Sequence, residues 1–291
     1  MSSEPPRFDL QGHSRHSDGQ LAAREVVIAA AEAGVELFAL SDHDTVDGVQ
    51  EALDAAAGLP LRIVPAVEIS AIDGDQGDLH ILGYLIEHHD ATLLARLRRY
   101  RSQRESRAAA MAEAIRELGF EIDTERLAAR ASEGKSVGRP HLAQAVVGHP
   151  ANAERLEEEG RTDTSAFLEG YLIEGRPAFV PRRGPSVAES VAAIHDAGGV
   201  AVWAHPFWDL AEPPAVLATI DRFRAHGIDG VECFYATHTR EQAELLADRC
   251  AELGLLSTGS ADFHGPDHAH FFRFRAFSTF GREAVLGPIA G

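Results

Sequence analysis

The chain has 291 residues, and 45% of them are hydrophobic, so it can bury one barrel-sized core or two smaller ones. A formal net charge of −18 repels polyanions at long range and argues against a protein that coats nucleic acid or an anionic membrane. The sequence has no apolar leader and no apolar run long enough to span a bilayer. Its two cysteines have neither the spacing of a zinc site nor that of a redox motif. Together these features predict a cytoplasmic protein.

The first predicted strand leads into a polar loop. Phe8 to Leu10 is apolar, and residues 11–19 behind it carry two histidines and a carboxylate and end at a glycine. A loop of this composition can bind a metal ion, although a solvated surface loop can have the same composition. Its interpretation therefore depends on the rest of the chain.

Helices and strands then alternate. Apolar periodicity predicts helices over 20–33 and 46–57 and strands over 35–40, 61–69 and 79–86. The same alternation returns later, with helices over 186–197, 214–226 and 239–253 and strands over 200–204, 230–234 and 255–260. This pattern is typical of a parallel α/β fold, in which loops at the carboxyl ends of the strands form the active site.

The alternation is interrupted in the middle of the chain. Residues 90–119 predict one long helix, and residues 120–179 are helical, charged and irregular. We therefore expect residues 101–179 to form an inserted helical cap. Residues 7–100 and 180–281 are expected to form one discontinuous α/β domain, with a loose tail after Gly281.

Side chains of the metal-ligand type lie at or just past the ends of the apolar runs. Since the carboxyl ends of parallel strands meet at one edge, these side chains are expected to share one rim. Imidazole and carboxylate are ligands for Mn²⁺, Fe²⁺ and Zn²⁺. The segments are Ser41-Asp42-His43-Asp44, Val67-Glu68-Ile69, Asp78-Leu79-His80, Ala204-His205-Pro206 and Ser260-Ala261-Asp262-Phe263-His264-Gly265.

In this order the segments resemble the motifs of the PHP family, the polymerase and histidinol phosphatase metal-dependent phosphoesterases of the amidohydrolase type. The likeness runs from Phe8 to about Gly265 and is greatest to the branch that acts on nucleotides. Besides the segments above, it rests on Asp-Leu-x-x-His-Ser-x-x-Ser-Asp-Gly at positions 9–19, on Pro65-Ala66-Val67-Glu68-Ile69-Ser70 and on Gly138-Arg139-Pro140-His141.

The resemblance implies a distorted (β/α) barrel of seven strands with an inserted helical subdomain. It also implies two or three divalent metal ions at the rim, with Mn²⁺ favoured and Fe²⁺ or Zn²⁺ as alternatives. Glu68, His205 and Asp262 would be catalytic, and Arg139 and His141 would bind substrate. The ligands that it implies are Gln11, His13, Glu68 and Asp262 for the first metal, Glu68, His80 and His205 for the second, and Asp18, His43 and His264 for the third.

One position departs from the family pattern. The first loop of the family usually reads His-x-His, and this chain has Gln11 at the first of these positions. A neutral amide is a weaker ligand than imidazole, so we expect the first metal to bind less tightly, or His16 to replace the missing ligand. Asp42 and Asp44, which flank a ligand, are expected to accept hydrogen bonds from ligating imidazoles.

Three features have more than one interpretation. The arginines at positions 96, 98, 99, 101, 104 and 107 form either a solvated basic face of the long helix or a surface that follows a nucleotide backbone. His238 follows a strand and belongs either to the wall of the site or to the surface. Phe207 and Trp208 could stack on a base.

The expected function is hydrolysis of a phosphate monoester of a small nucleotide, such as a 3′,5′-bisphosphonucleoside to a nucleoside 5′-monophosphate, by a hydroxide that bridges two metals. One alternative is a 5′ to 3′ exoribonuclease on short RNA. A histidinol-phosphate phosphatase is less favoured, because Gly138-Arg139-Pro140-His141 and the insertion resemble the nucleotide branch. The alternative from another class is a metal-binding barrel without catalysis, which Gln11 favours. No membrane or protein partner is predicted.

Overall fold

A computed structural model describes residues 6–74, 76–132, 137–181 and 183–291. The chain divides into two compact units. The first comprises Met1–Arg98 and Pro185–Gly291, and the second comprises Arg99–Gly184.

The first unit contains a seven-stranded sheet in which each strand pairs with the next along the chain. At its edges, the backbone N–H of Leu10 donates to the carbonyl of Gly259 at 3.2 Å, and that of His13 donates to the carbonyl of Phe263 at 2.8 Å. These bonds nearly close the sheet, so the predicted seven-stranded barrel is confirmed. The strands are β1 Phe8–Asp9, β2 Leu37–Leu40, β3 Arg62–Asp73, β4 Gln76–Tyr84, β5 Val200–Trp203, β6 Gly230–Tyr235 and β7 Leu256–Ser260.

One strand runs against the expected direction. β4 is antiparallel to both of its neighbours, β3 and β5, whereas the other strand pairs are parallel. Only residues 74 and 75 separate β3 from β4, and a connection between parallel strands needs a dozen residues or more. The two strands therefore form a hairpin, and the prediction of a parallel fourth strand is wrong.

The helices follow the apolar periodicity of the sequence. α1 buries Ala23, Val26, Val27 and Ala30, which lie three or four residues apart on one face. α11 begins after Thr239, whose side chain accepts from the N–H of Gln242. The helices are α1 Ala23–Glu32, α2 Val49–Ala55, α3 Ala91–Glu117, α4 Thr124–Ser132, α5 Arg139–Val147, α6 Ala153–Glu158, α7 Thr164–Phe167, α8 Val187–Asp196, α9 Pro206–Asp209, α10 Pro213–Ala225 and α11 Arg240–Leu253.

The second unit is helical and has its own apolar core. Ile115, Phe120 and Phe167 are buried at its centre, and the rings of Phe120 and Phe167 meet edge to face at 5.2 Å. Asn152 is also buried, and its side-chain amide bonds to backbone atoms of Glu121 and Val146. No helix in the described ranges is long and apolar enough to cross a membrane.

The segment after Gly281 is part of the core of the first unit. Ile289 is fully buried in a cluster with Leu10 and Leu82, and Arg62 donates to its carbonyl oxygen. The expectation of a loose tail is wrong. Two apolar side chains, Leu286 and Ile289, are too few to give a periodic signal in the sequence, yet they bury enough surface to dock the segment.

Candidate metal centre

The structure brings the predicted ligands together at the carboxyl end of the barrel. The loop after β1 supplies Gln11, His13 and Asp18, and the loops after β2, β5 and β7 supply His43, His205, Asp262 and His264. Two of the predicted ligands lie inside strands, Glu68 in β3 and His80 in β4. His80 precedes the apolar run of β4, and it reaches this rim because β4 is antiparallel and starts there.

Glu68 lies at the centre of the cluster and is fully buried. Its Oε1 lies 2.9 Å from Nδ1 of His80 and 3.2 Å from Nε2 of His205. Its Oε2 lies 3.1 Å from Nε2 of His13 and 3.5 Å from Nδ1 of His43. Burial opposes ionisation of Glu68, but the surrounding histidines outweigh it and hold its pKa well below the usual value.

His13 connects Glu68 to the carboxylates of the outer part of the cluster. Its Nε2 lies 3.0 Å from Oδ1 of Asp262, and its Nδ1 lies 3.7 Å from Oδ1 of Asp18. The ring is stacked between those of His43, at 4.7 Å, and His264, at 4.3 Å. Burial lowers the pKa of His13, but Asp262 and Glu68 outweigh burial and raise it well above its ordinary value.

Two groups of side chains have the geometry of a cation site. The ligand atoms of His13, Asp18, His43 and His264 all lie within 4.8 Å of one another, and so do those of His43, Glu68 and His80. Burial lowers the pKa of His43 to about 4, which leaves its ring neutral and able to ligate. The expected third set, Asp18, His43 and His264, is contained in the first group.

The chemistry of the cluster fits divalent cations. Polar atoms that are buried without a hydrogen-bond partner in the described chain include Nδ1 of His13, Nδ1 of His43 and Nδ1 of His205. A buried polar atom without a partner costs about 1–3 kcal/mol, and a bound cation removes that cost for the atoms that ligate it. Mixed imidazole and carboxylate ligands suit Mn²⁺, Fe²⁺ and Zn²⁺.

Gln11 is fully buried beside Glu68. Its Nε2 donates to Oε2 of Glu68 at 2.9 Å, and its Oε1 lies 3.3 Å from the hydroxyl of Ser260. In this orientation the oxygen that would ligate a metal faces Ser260, so the role of Gln11 as a ligand stays a prediction. His16 belongs to neither group of clustered ligands, and its ring packs near Gly48.

Asp42 has a different role from the one expected. Its carboxylate accepts from the backbone N–H of Ser14 at 2.8 Å and from the hydroxyls of Ser14 and Ser17 at 2.7 and 2.6 Å. It therefore fixes the loop that carries His13 and Asp18, and the prediction that it accepts from an imidazole is wrong. Oδ1 of Asp44 accepts from the backbone N–H of Ser70 at 2.9 Å.

Three carboxyl or hydroxyl groups beside the cluster were not predicted. Tyr235 donates from its hydroxyl to Oδ2 of Asp262 at 2.7 Å, and Asp209 lies 3.9 Å from Nδ1 of His205. Glu232 is fully buried within β6, and burial raises its pKa to about 8. The only sequence signal for Glu232 was a lone carboxylate in an otherwise apolar strand.

His238 is buried and does not lie on the surface. Its Nδ1 lies 3.0 Å from the carbonyl oxygen of Cys233, which can only accept, so Nδ1 carries the proton. Its ring meets that of Phe207 edge to face at 5.6 Å. Trp208 is 54% exposed, as a residue that stacks on a base requires.

The predicted substrate-binding residues lie in the second unit. Arg139 and His141 are in the first turn of α5, and Nδ1 of His141 accepts from the backbone N–H of Gly138 at 3.0 Å. Arg107 donates to the carbonyl of Val180 at 2.8 Å, and burial, together with the charge of Arg139, lowers its pKa. Arg107 also lines a cavity of about 470 Å³ with Arg183 and Gln103.

The arginines of α3 do not form one uniform face. Arg98 and Arg99 are exposed, whereas Arg96 pairs with Asp196 at 2.8 Å. Arg107 is half-buried. The interpretation of the whole run as a solvated basic face is therefore wrong for Arg96 and Arg107.

Comparison with known proteins finds relatives that align with most of the chain. A 5′-3′ exoribonuclease of Haemophilus influenzae is 32% identical over 260 residues, which are 89% of this chain and 90% of the relative. A 3′,5′-nucleoside bisphosphate phosphatase of Chromobacterium violaceum is 30% identical over 260 residues, 89% and 87% of the two chains. A phosphoribosyl 1,2-cyclic phosphate 1,2-diphosphodiesterase of Eggerthella lenta is 31% identical over 268 residues, 88% and 94% of the two chains.

Solved structures with the same fold include a metal-dependent phosphoesterase of Bifidobacterium adolescentis. It has a TM-score of 0.72 and 29% identity, covering 92% of this chain and 91% of that one. An amidohydrolase of Chromobacterium violaceum, with bound sulfate and no metal, has a TM-score of 0.74 and 29% identity, covering 92% and 94%. No family model matches the sequence. On the identity and coverage of these relatives, and on the barrel fold that it shares with the solved structures, the chain belongs to the PHP family of metal-dependent phosphoesterases.

Proposed function

We propose that the protein hydrolyses the 3′-phosphate ester of a 3′,5′-bisphosphonucleoside and releases a nucleoside 5′-monophosphate. The observation that carries the proposal is the cluster around Glu68. Buried imidazoles and carboxylates lie close together there, and several of their polar atoms have no hydrogen-bond partner among the described residues. A divalent cation bound there, with Mn²⁺ as our proposal, would lower the pKa of water and neutralise phosphoryl oxygens. Phosphoryl transfer depends on positioning and charge stabilisation of this kind.

The side chains of the barrel have separate tasks in this reaction. Glu68 is held ionised by the surrounding histidines and offers one oxygen to His80 and His205 and the other to His13 and His43. Glu68 would therefore help to hold the bound cations. Tyr235 holds one oxygen of Asp262, which leaves Oδ1 directed at His13.

The names of two of the three relatives support a nucleotide or RNA substrate, and the three names differ in the bond that is cleaved. The relatives at 30–32% identity include a bisphosphate phosphatase, an exoribonuclease and a cyclic phosphate diphosphodiesterase. A 3′,5′-bisphosphonucleoside and the 5′-phosphorylated end of an RNA both present a nucleoside with a phosphate ester at O3′. Short RNA is therefore the second candidate substrate, and the exposed Arg98 and Arg99 on α3 favour it.

Two arginines are suited to bind a second phosphate of the substrate. The charge of Arg139 acts on Arg107, and no carboxylate forms an ion pair with Arg107 among the described residues. Guanidinium groups bind phosphate with forked hydrogen bonds. We propose that Arg139 binds the phosphate that does not react.

The test is a direct comparison of substrates with the full chain. Protein freed of metal and reloaded with Mn²⁺ is given 3′,5′-bisphosphoadenosine, p-nitrophenyl phosphate, and a short oligoribonucleotide with and without a 5′-phosphate. We expect release of inorganic phosphate and AMP from the first compound at the highest kcat/KM. A higher kcat/KM for the 5′-phosphorylated RNA would establish the exoribonuclease instead.

Two variants control for the metal centre and for contaminating phosphatase. His43→Ala removes a side chain shared by both ligand groups and should abolish hydrolysis. His226→Ala changes an exposed histidine of the same unit and should have no effect. Metal-loaded wild type that hydrolyses none of the compounds would identify a non-catalytic metal-binding barrel.

A further inference from the structure

Glu232 is a buried carboxyl group to which neither the family motifs nor the ligand groups assign a role. It lies in the middle of β6, a strand in which every residue is buried, and it is itself fully inaccessible to solvent. Burying a carboxyl group is unfavourable unless its oxygens are hydrogen-bonded. Its partners therefore indicate why it is there.

Both oxygens of Glu232 are bonded to residues at the rim. Oε2 accepts the backbone N–H of His205 at 2.9 Å, and Oε1 accepts the hydroxyl of Ser260 at 2.6 Å. Glu232 thus connects His205, the second residue after β5, to the last residue of β7, across β6. Glu232 belongs to neither of the two groups of clustered ligand atoms.

The backbone of His205 has an unfavourable conformation. Its φ of 30° and ψ of 57° lie in the left-handed region, which a residue other than glycine rarely adopts. His205 also precedes Pro206, which disfavours helical conformations at the preceding position. A conformation of this kind persists only where the surrounding contacts impose it.

This conformation directs the imidazole into the cluster. Nε2 of His205 lies 3.2 Å from Oε1 of Glu68 and 3.3 Å from Nδ1 of His80. In an ordinary extended conformation the side chain would leave the backbone in another direction. The placement of the ring therefore depends on whatever fixes the backbone N–H.

We propose that Glu232 is a positioning residue of the metal centre, which holds His205 in the left-handed conformation that directs its ring at Glu68 and His80. This proposal shares one assumption with the proposed function, namely that His205 ligates a cation. It concerns metal binding, so it can be tested without any substrate.

Two conservative variants separate the reach of the side chain from its carboxyl chemistry. Glu232→Gln replaces the carboxyl group with an amide of the same length, so its amide oxygen can accept from His205 and its amide nitrogen can donate to Ser260. Glu232→Asp keeps the carboxyl group but is one methylene shorter, so it cannot reach both partners. A positioning role predicts that Gln is tolerated and Asp is not, whereas a role that requires an ionisable carboxyl group predicts the reverse.

The experiment measures binding of Mn²⁺ to the metal-free full chain by titration calorimetry, with circular dichroism to confirm folding. We expect Glu232→Gln to bind within about threefold of wild type and Glu232→Asp to lose about 10- to 100-fold in affinity for at least one cation, as outer-sphere changes do. Weakened binding in Glu232→Gln, or wild-type binding in Glu232→Asp, would overturn the proposal, as would wild type that binds no Mn²⁺.

A double-mutant cycle tests whether the effect passes through His205. In a His205→Ala background, Glu232→Asp should cause no further loss of Mn²⁺ affinity, because the ring that it positions is gone. An equal loss in both backgrounds would overturn the proposal. If Glu232→Asp does not fold, Ser260→Ala in both backgrounds replaces it, with a smaller loss expected in the wild-type background only. Wild type that binds Mn²⁺ as expected but hydrolyses no ester would refute the proposed function and leave this inference standing.

Discussion

Nε2 of His13 lies 3.0 Å from Oδ1 of Asp262, and both side chains are buried. Burial opposes ionisation of Asp262, but His264 and His13 outweigh it and lower the pKa of Asp262 to about 2. The carboxylate is therefore ionised in the metal-free protein at neutral pH. Its ionised form stabilises the folded state above pH 4, and this stabilisation is lost as the pH falls toward 2.

Asp262→Asn keeps the volume of the side chain and removes this charge. We expect hydrolysis at saturating Mn²⁺ to fall by on the order of a hundredfold or more. At pH 7 the metal-free protein should also lose about 2 kcal/mol of unfolding free energy. Steady-state kinetics and urea titration measure the two effects, and activity within a few-fold of wild type would exclude Asp262 from the reaction.

Metal affinity should rise with pH because of His205. Burial lowers the pKa of His205, but its hydrogen bond to Glu68 outweighs burial and raises the pKa to about 9. A cation must displace that proton, so Mn²⁺ affinity should increase from pH 6.5 to pH 8.5 by up to about tenfold per unit. The proton itself stabilises the metal-free fold below pH 6.5, and that contribution is lost as the pH rises toward 9.

Calorimetric titration of metal-free protein at several pH values measures this dependence. His205→Ala is the matched variant, and its affinity should be lower and should change less with pH. An affinity of wild type that does not change with pH would show that His205 is not protonated in the metal-free protein.

Arg139→Ala should chiefly weaken substrate capture. A guanidinium that binds a phosphate outside the reacting bond contributes equally to the ground and transition states, so KM should rise by about tenfold or more with kcat less affected. Arg116→Ala, which removes an exposed arginine paired with Glu113 at 3.2 Å in the same unit, is the control. Unchanged kinetics for Arg139→Ala on all substrates would leave residues 138–141 with a purely structural role.

Gln11→His should increase the affinity of the first metal. The amide now donates to Glu68 at 2.9 Å, and an imidazole at this position could offer a ring nitrogen to the cation instead. Metal content after graded chelation should show one cation that leaves wild type first and is retained by the variant. Equal loss from both proteins would mean that residue 11 does not ligate, and loss of metal in His16→Ala alone would assign the ligand to His16.

The sequence predicted the candidate metal site well where its ligand-type side chains lie in short motifs. His13, His43 and Asp262 were placed correctly at one rim because polar ligand-type side chains followed apolar strands. His80 reached the same rim for a reason that was not foreseen, since it precedes its apolar run. The signal for the hairpin was present, because Asp73-Gly74 between two apolar segments is typical of a tight turn.

The positioning contacts could not be predicted from the sequence. Glu232, Ser260 and His205 are far apart in the chain, and their contact follows from the alignment of β5, β6 and β7. A carboxylate in an apolar strand indicates that a partner exists but does not identify it. The left-handed backbone of His205 is a tertiary effect, because local preference before Pro206 opposes it.

The order of the ligands along the chain has a mechanical consequence. Glu68 and His205 touch in the cluster although 137 positions separate them, and the whole second unit lies between them in the sequence. A cation bound to both would be a reversible cross-link between positions more than a hundred residues apart. Because the two side chains meet only in the folded barrel, the cation would stabilise the folded state and dissociate on unfolding, so a chelator should lower the temperature at which the barrel melts and leave the helical unit less affected.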